Sequence, residues 1–403
     1  MKILMISDFY PPFIGGMYRY VQTLSRALVK RGHEVVVCTS GNKYLDSCEE
    51  DQGVKVIRFE GFFQKIPFLF KDLNEKHPPP FQDFLVSQKL RRIIRREKPD
   101  IIHCHGWILY SVLPLKKEIE VPLVVTIHSY GYLCPKKSLL NKNKICVEPP
   151  MISCISCAKN QYGWVKSLFT CYGLRLNKER LKLVDQFIAV SHFVKDFYSK
   201  HLILGDRVLV IPNFYESKKD TFRSKEPGTL PEDFILFVGG LSPHKGVDVL
   251  IEAYDKLNTK TKLLIIGKTY PPHCYKSTEN IMIIENAPYK TVMEAYSKCR
   301  FMVIPSIWPD PCPTVAFEAM SWKKGLIASN IGGLRDIIVN GKTGILITPN
   351  NSKKLSEAMD YLLKTPSIAN EMGENGFKRF IRYYTSDVIT SKIENIYKDL
   401  CAR

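Results

Sequence analysis

Residues 305–322 read PSIWPDPCPTVAFEAMSW and place two carboxylates around a proline-rich loop. Four prolines fall within nine positions, and the sequence becomes helical in character only from Thr314 onward. A helix beginning there carries Glu318 about one turn from its start, where a carboxylate can accept two hydrogen bonds from the hydroxyls of a ribose. Asp310, in the loop, is placed to reach hydroxyls of a second group. Two unrelated surface acids would leave the prolines unexplained, so the stretch is interpreted as the floor of a ligand site.

Two glycine pairs follow predicted strands and precede predicted helices. Gly15-Gly16 comes after the first strand, and Gly239-Gly240 opens the loop GGLSPHKG, which adds Lys245. Glycine lets the backbone approach a ligand, a helix N-terminus favours an anion, and a lysine offsets the charge of a diphosphate. The alternatives are an ordinary tight turn for the first pair and a solvated lysine for the second loop. The pattern GxGxxG is absent, which disfavours a nicotinamide or flavin dinucleotide.

Histidines end two of the predicted strands. His128 closes VVTIHS, where a ring nitrogen can exchange a hydrogen bond with a sugar hydroxyl, and a buried histidine satisfied by its neighbours is the alternative. His103 and His105, in IIHCHG, are interpreted as core residues or as support for the site. A His-Cys-His metal site is less favoured because no ligand spacing supports it.

A polar segment holds four cysteines within 24 residues, namely Cys134, Cys146, Cys154 and Cys157. The last two form a C-x-x-C chelating pair, and the four thiolates together predict a tetrahedral structural zinc site. Four separate thiols are the equal alternative, and an iron–sulfur site is a rarer one. The chain has twelve cysteines and no recognisable secretion signal, which favours reduced thiols or a metal over disulfides.

Apolar runs alternate with amphipathic stretches along the chain, which is the pattern of parallel α/β sheets. The first series of strand-like runs is 2–7, 33–39, 54–59, 100–104, 122–127, 186–190 and 208–211. The plan restarts at Phe234, with further runs at 261–267, 281–284, 301–304, 326–329 and 344–347, and residues 350–403 read as helices. We therefore predict two doubly wound Rossmann-like domains that face each other across a cleft. The first spans 1–212 with a cysteine-rich insertion at about 130–172, and the second spans 213–385 after a polar connection at 215–232.

The formal net charge is +18, and most of it lies in the first half of the chain. Residues 1–200 hold 31 basic and 18 acidic residues (+13), while residues 201–403 hold 27 and 22 (+5). A basic face attracts anionic lipids or phosphorylated substrates, and a merely soluble surface is the equal alternative. No nucleic-acid-binding module is recognisable, so no nucleic acid partner is expected.

Two stretches of the first half bear on membrane contact. QKLRRIIRREKPD (88–100) and its apolar neighbour FFQKIPFLF (62–70) can lie on an anionic membrane, but a solvated helix face on a parallel sheet is preferred. The start of the chain does not read as a signal peptide, and no apolar run is long enough to span a bilayer. We expect a cytoplasmic protein, either free or peripheral at the inner membrane face.

Taken in order, these motifs resemble the retaining nucleotide-sugar glycosyltransferases of family four, which have the GT-B fold. The resemblance covers nearly the whole chain and is carried by the first Gly-Gly loop, PDIIHCHG, VVTIHS, IAVSHFVKDFY, FVGGLSPHKGVDVLIEAY and PSIWPDPCPTVAFEAMSWKKGLIASNIGGLRDIIVNGKTGILI. It implies that the last helix, 386–403, crosses back to the first domain. It also implies that catalysis needs no divalent ion.

The resemblance assigns roles to individual residues. Glu318 would bind the nucleotide ribose, Lys245 the diphosphate and His128 the transferred sugar. Gly15 and Gly16 would let backbone amides approach the phosphates, and the start of the helix at Thr314 and Val315 would face the sugar and phosphates. Asp310 would be the first acid of the family's paired acidic motif.

Four positions depart from the family's usual pattern. Gly240 stands where the family usually has arginine, so one diphosphate cation is missing unless Lys268 replaces it. Pro313 stands where a glycine often gives a backbone N–H to the sugar, so that donor is lost. Asp310 replaces the usual glutamate with the spacing kept, and Ser129 replaces an aspartate that commonly follows the strand-end histidine.

The implied reaction moves a sugar from a UDP- or GDP-sugar to a hydroxyl of a glycan or lipid-linked acceptor, in the synthesis of cell-surface polysaccharide or glycolipid. Two other functions stay open. The departures at Gly240 and Asp310 motivate a non-catalytic sugar-nucleotide-binding protein, and the other alternative is a GT-B sugar-nucleotide epimerase.

Overall fold

The computed structural model describes residues 1–13, 15–42, 44–66, 76–141, 144–146, 151–202, 204–216, 230–269 and 274–403. Most of the predicted polar connection, 217–229, therefore lies outside the described residues, as do 67–70 of the apolar stretch at 62–70. The chain divides into two compact units. Unit 1 consists of Met1–Pro212 with Ser386–Arg403, and unit 2 of Asn213–Thr385.

Unit 1 is built on an eight-stranded sheet. Its strands in chain order are β1 (Lys2–Ser7), β2 (Glu34–Ser40), β3 (Cys48–Asp51), β4 (Val54–Phe59), β5 (Ile101–His105), β6 (Leu123–Ile127), β9 (Gln186–Ala189) and β10 (Val208–Val210). The strands β7 (Leu140–Asn141) and β8 (Lys144–Ile145) form a separate hairpin. The order across the sheet is β10-β9-β6-β5-β1-β2-β4-β3. All pairs are parallel except β3 with β4.

The central strand of this sheet is β1, which pairs with β2 on one side and β5 on the other. Ile3 lies opposite Val35 and Ile101, and the side chains of Ile3, Leu4, Met5 and Ile6 are all fully buried. Parallel strands covered on both faces read as continuous apolar runs, which is why KILMIS was recognisable as a strand. The chain order reverses between β1 and β5, so the carboxyl ends of these two strands flank the switch point of unit 1.

The helices of unit 1 cover this sheet. They are α1 (Gly16–Lys30), α2 (Phe84–Glu97), α3 (Leu109–Val112), α4 (Met151–Tyr162), α5 (Trp164–Asn177) and α6 (His192–Leu202), with short 3-10 turns at Phe63–Lys65, Leu113–Lys117, Glu179–Leu183 and Gly205–Arg207. Helix α2 begins where the Asp83 side chain accepts hydrogen bonds from the first-turn N–H groups of Leu85 and Val86. Its Leu90 and Ile94 are buried, so this apolar face lies in the core, as preferred for the stretch 88–100.

Unit 2 holds a six-stranded, entirely parallel sheet. Its strands are β11 (Phe234–Val238), β12 (Lys262–Gly267), β13 (Ile281–Glu285), β14 (Phe301–Ile304), β15 (Gly325–Ser329) and β16 (Ile345–Ile347), in the order β13-β12-β11-β14-β15-β16. This is the doubly wound order, with its switch point between β11 and β14. The restart of the plan at Phe234 is thus confirmed.

The helices of unit 2 are α7 (Val247–Tyr254), α8 (Tyr289–Lys298), α9 (Thr314–Ser321), α10 (Leu334–Ile337), α11 (Ser352–Lys364) and α12 (Pro366–Tyr383), with a 3-10 turn at Pro243–Lys245. Their apolar faces join the strands in one core that includes Phe237, Leu250, Leu263 and Met359. The predicted helical character of 350–403 is confirmed by α11, α12 and the final helix.

The final helix, α13 (Ser386–Cys401), belongs to unit 1, where it packs against α1. Glu394 bonds Lys398 at 2.7 Å and the Arg31 guanidinium at 2.9 Å. These bonds to Lys398 and then Arg31 lower the pKa of Glu394 to about 2. The Tyr397 hydroxyl is buried against His103 of β5, at 2.6 Å from its Nδ1.

Among the described residues, no helix is both long enough and apolar enough to cross a membrane.

Candidate functional site

The predicted donor-side residues of unit 2 lie in two loops that follow β11 and β14, the strands on either side of the switch point. The loop after β11 runs through Gly239 and Gly240 to Lys245, and the loop after β14 is the proline-rich stretch. The backbone N–H of Ile307 donates to the carbonyl of His244 at 2.9 Å, which joins the two loops directly.

Gly246 makes this joining possible. It has a φ of 80°, and a Cβ at this position would lie 1.9 Å from the carbonyl oxygen of Pro305. Only glycine adopts this conformation without cost and also leaves room for the neighbouring backbone. Gly246, which ends GGLSPHKG, therefore lets the backbone next to Lys245 pack directly against the proline-rich loop.

Lys245 and Asp310 form an ion pair between the two loops. The ammonium lies 2.5 Å from the Asp310 Oδ2, and the side chains are 27% and 7% exposed. Lys245 Nζ also lies 5.1 Å from the centre of the Trp308 ring, which packs perpendicular to the His244 ring. A cation over an indole face is attracted by the ring's negative face. The lysine is thus held in one place at the carboxyl end of the sheet. Its pairing with Asp310 was not predicted from the motifs.

The Asp310 loop is fixed from behind by a third glycine pair, Gly332-Gly333, which follows β15. The N–H of Gly333 donates to the Asp310 carbonyl at 2.8 Å. Gly332 has a φ of 56°, and a Cβ there would lie 2.5 Å from the same carbonyl oxygen. These residues were not among the predicted site residues, although a glycine pair after a strand is the same signal that identified the other two loops.

Helix α9 begins at Thr314, as predicted, and its N-terminus has no side-chain cap. The first residues, Thr314 and Val315, and the more distant Glu318 are all half-buried. Glu318 accepts a hydrogen bond of 2.8 Å from the hydroxyl of Tyr296, a fully buried side chain of α8. Burial and the Glu318 charge raise the pKa of Tyr296 well above its usual value, so the tyrosine remains a donor. Tyr296 therefore orients the carboxylate, a role that sequence reasoning missed.

Gly240 lies beside the end of β12. The next residue, Leu241, donates its N–H to the carbonyl of Lys268 at 2.8 Å, and a Cβ at Gly267 would lie 1.8 Å from the Gly239 carbonyl oxygen. Lys268 is exposed at this strand end. The backbone thus brings to Gly240 the lysine that the sequence suggested as a replacement for the usual arginine.

In unit 1, Gly15 and Gly16 stand at the start of α1, after the central strand. A Cβ at Gly16 would meet nothing within 4 Å, whereas one at Gly15 would lie 2.7 Å from the Tyr18 ring. The turn after β5, across the switch point, is fixed by buried Asp8, whose carboxylate accepts from the N–H of Ile108 at 2.7 Å. The backbone around the switch point of unit 1 is therefore closely packed on one side and open at Gly16.

The histidines at the ends of β5 and β6 form a buried hydrogen-bonded set. His105 Nδ1 lies 3.0 Å from His128 Nε2, and His103 Nε2 lies 2.7 Å from the hydroxyl of Thr126. Burial lowers the pKa of His103 to about 3 and that of His105 well below its usual value, so both rings are neutral. His103 and His105 are buried, as predicted, and His105 also contacts the half-buried His128.

The bond between His105 and His128 selects a tautomer. His105 Nε2 is buried and has no hydrogen-bond partner in the described part of the chain. A proton on that nitrogen would be a buried donor without an acceptor, which is costly. If both rings are neutral, His105 donates from Nδ1 to His128 Nε2, and His128 carries its own proton on Nδ1.

The four cysteines of the insertion are free thiols spread over the β7–β8 hairpin region and α4. Burial, and then the charges of the neighbouring thiolates, raise the pKa of Cys154 to about 12. Burial also raises the pKa of Cys134. Within the described ranges, however, no three or more His, Cys, Asp or Glu side chains are arranged to hold a metal ion. Cys157 Sγ instead donates to the Leu140 carbonyl at 3.6 Å. Structural zinc stays a prediction, and elemental analysis of protein purified without added metal tests it.

The proteins similar to this chain include several that are named as glycosyltransferases. An uncharacterized glycosyltransferase of Methanocaldococcus jannaschii is 28% identical over 99% of both chains. Among solved structures, sucrose-phosphate synthase from Thermosynechococcus elongatus superposes with a TM-score of 0.76 at 20% identity, over 100% of this chain and 99% of that one. The Anabaena protein HepE in complex with UDP-glucose gives a TM-score of 0.66 at 16% identity, over 99% of this chain and 100% of that one. The predicted GT-B fold is confirmed.

Two family profiles match the chain in sequence. "Glycosyl transferases group 1" matches residues 218–379, and "Glycosyltransferase Family 4" matches residues 14–219. The family predicted from the motifs is confirmed. This chain belongs to glycosyltransferase family 4.

Proposed function

We propose that this glycosyltransferase moves a sugar, with retention of its anomeric configuration, from a UDP- or GDP-sugar to a hydroxyl of a glycan or lipid-linked acceptor. The observation that carries the proposal is the Lys245–Asp310 pair, with Glu318 on the helix that follows the Asp310 loop, at the carboxyl ends of the strands that flank the switch point of unit 2. Ligands of doubly wound sheets bind at such switch points. A cation and a carboxylate there suit the diphosphate and ribose of a sugar nucleotide.

Lys245 is the group proposed to stabilise the leaving nucleoside diphosphate. An ammonium has three N–H donors, so Lys245 can keep its bond to Asp310 and still donate to phosphate oxygens. Contact with Asp310 and with the Trp308 ring holds the charge in place before the donor arrives. Positive charge that is positioned beforehand costs no reorganisation during the reaction, and this electrostatic contribution is usually the largest in catalysis.

Glu318 is proposed to hold the ribose. An ionised carboxylate offers about four acceptor positions, of which the Tyr296 hydroxyl occupies one. The two ribose hydroxyls would need only two of the other acceptor positions. The uncapped start of α9, at Thr314 and Val315, supplies backbone N–H groups for an anion.

His128 is proposed to contact the transferred sugar. Its ring is proposed to donate a hydrogen bond to a sugar oxygen rather than to remove a proton from the acceptor. In the proposed front-face reaction the leaving phosphate takes that proton, so no separate general base is needed. Lys245 and the helix start supply the positive charge, and the proposal therefore requires no divalent ion.

The relatives support a sugar nucleotide as the donor. HepE, which shares the fold, was solved with UDP-glucose bound. We further propose that the protein works in the cytoplasm or at the inner membrane face, in polysaccharide or glycolipid synthesis.

The proposal is tested by incubating the protein with radiolabelled UDP- and GDP-sugars, with and without candidate acceptors, and separating the products. Acceptor-dependent release of nucleoside diphosphate is the expected result, and it excludes a binding-only protein. An epimerase would give a product that keeps the nucleotide. If the folded protein neither binds nor turns over any donor, the proposal fails.

A further inference from the structure

Helix α5 turns its more polar face toward the protein and its apolar face toward solvent. The side chains it turns inward include Ser167, Thr170, Gly173 and Asn177, all of them buried. Asn177 donates to the carbonyl of Pro80 at 3.0 Å, and a Cβ at Gly173 would lie 2.7 Å from the same oxygen. A surface helix normally turns its apolar face to the core and its polar face to water. Here the buried face is formed mainly by small and polar residues, together with Cys171 and Leu174.

The outward face of α5 carries large apolar side chains. They are Val165, Leu168, Phe169, Tyr172 and Leu176, between 50% and 71% exposed. At 3.6 residues per turn these five positions fall within about 100° of the helix circumference, so they form one continuous stripe. Trp164 at the start of the helix is also exposed, and so is Ile152 on the neighbouring α4. Isolated exposed apolar residues are normal, but a contiguous stripe of this size marks an interaction surface.

Basic side chains surround this stripe. Residues 151–182 contain six lysines and arginines and a single acid, Glu179, which pairs with Lys182 at 2.6 Å. Lys159 lies over the Trp164 ring with its Nζ 4.7 Å from the ring centre, and Arg175 is exposed next to the stripe. An exposed apolar stripe with aromatic residues and basic neighbours suits contact with the headgroup region of an anionic bilayer.

We propose that the α5 stripe, together with Trp164 and Ile152, docks unit 1 onto a membrane containing anionic lipids. The helix would lie in the headgroup region with Leu168 and Phe169 among the acyl chains. A second copy of the chain fits less well, because a two-fold contact through this stripe would bring two basic rims together. The stretch 88–100 is not the contact, because Leu90 and Ile94 are buried in the core.

Vesicle sedimentation tests the proposal with the full-length protein and without any sugar donor, so the outcome is independent of the proposed reaction. The probes are vesicles of phosphatidylcholine alone and of phosphatidylcholine mixed with phosphatidylglycerol. The stripe variant is Leu168→Ser with Phe169→Ser. The matched control is Tyr361→Ser with Ile381→Ser, which removes two comparably exposed apolar side chains from unit 2. Circular dichroism shows that each variant is folded.

We expect the wild type and the control to bind the anionic vesicles, and the stripe variant to lose more than about tenfold in partition coefficient. Added salt should weaken the binding, and Trp164 fluorescence should shift to shorter wavelength in the wild type. Equal binding by the stripe variant and the wild type would overturn the proposal. So would the absence of wild-type binding to both vesicles, or a dimer in solution that the stripe substitutions dissociate.

Discussion

The substitution Lys245→Met, alone and combined with Asp310→Asn, distinguishes the catalytic role of Lys245 from the contribution of the Lys245–Asp310 pair to stability. Methionine keeps an unbranched apolar stem but removes the charge that would face the diphosphate. Loss of one positioned electrostatic group at a reacting centre costs about 2.7–4 kcal/mol of transition-state stabilisation. We therefore expect kcat/KM to fall about 100- to 1,000-fold.

The same change leaves the Asp310 carboxylate, which is 7% exposed, without its ammonium. Breaking a fully buried pair costs about 3–5 kcal/mol and breaking an exposed one about 0–1 kcal/mol. The Lys245 side chain is 27% exposed, so we expect an intermediate loss of about 1–3 kcal/mol. In a unit of this size that lowers the melting temperature by about 2–10 °C.

The double variant Lys245→Met with Asp310→Asn removes the unpaired charge as well. Its melting temperature should return most of the way to that of the wild type, while kcat/KM stays low. Lys262→Met, an exposed lysine at the other end of β12, is the matched control and should change neither quantity. The measurements are thermal unfolding and initial rates on the donor that the radiolabelled panel identifies. The reasoning is refuted if the single variant keeps its kcat/KM, or if the double variant recovers it.

Three further changes test the packing and the charges around the site. Gly246→Ala should destabilise unit 2 by several kcal/mol, because its Cβ would overlap a backbone carbonyl oxygen at 1.9 Å. Gly341 has a similar φ of 75° but open space around it, so Gly341→Ala should reduce the free energy of unfolding only by the cost of the left-handed backbone, about 1–2 kcal/mol. Thermal unfolding compares the two, and equal losses would contradict the close packing of the loops. Glu318→Ala should raise the KM for the donor by about 10- to 100-fold because it removes charged hydrogen bonds. Tyr296→Phe keeps the carboxylate and should raise the KM less. An unchanged KM for Glu318→Ala would exclude the proposed role in binding the ribose. Glu394 has a depressed pKa, so its contribution to stability is complete above pH 4.5 and is lost as the pH falls toward 2. The difference in melting temperature between wild type and Glu394→Gln should shrink over that range, and a constant difference would show that the ion pairs do not stabilise unit 1.

Much of the fold could be predicted because parallel strands buried on both faces leave an unmistakable pattern. KILMIS became β1 with identical bounds, and the helix predicted to begin at Thr314 does begin there. Both signals are local, since they depend on apolar runs, prolines and the change of period between neighbouring residues.

Contacts between distant residues could not be predicted. Lys245 and Asp310 are 65 positions apart, and nothing in either loop indicates that the ammonium meets this carboxylate. The same holds for Tyr296 with Glu318 and for the hydrogen bond between His105 and His128. Such pairs depend on how the strands are ordered in the sheet, which a single sequence does not state.

Helix α5 shows a different limit of sequence reasoning. Its apolar residues recur at helical spacing, as they would in any core-facing helix, and the segment was interpreted only as part of a polar, cysteine-rich insertion. Periodicity identifies an apolar face but does not tell which way that face points. The direction became visible only from the burial of Ser167 and Thr170 and the exposure of Leu168 and Phe169.

The central claim is that this chain transfers a sugar from a nucleotide donor with retention of configuration. Proton NMR of the reaction mixture measures this directly, because the anomeric proton of the new glycoside reports both the bond and its configuration. With an α-linked donor sugar we predict a new α-anomeric signal that appears together with free nucleoside diphosphate and is lost in the Lys245→Met, Asp310→Asn double variant. A β-anomeric product, or a donor that stays intact in the presence of every acceptor, would contradict the account.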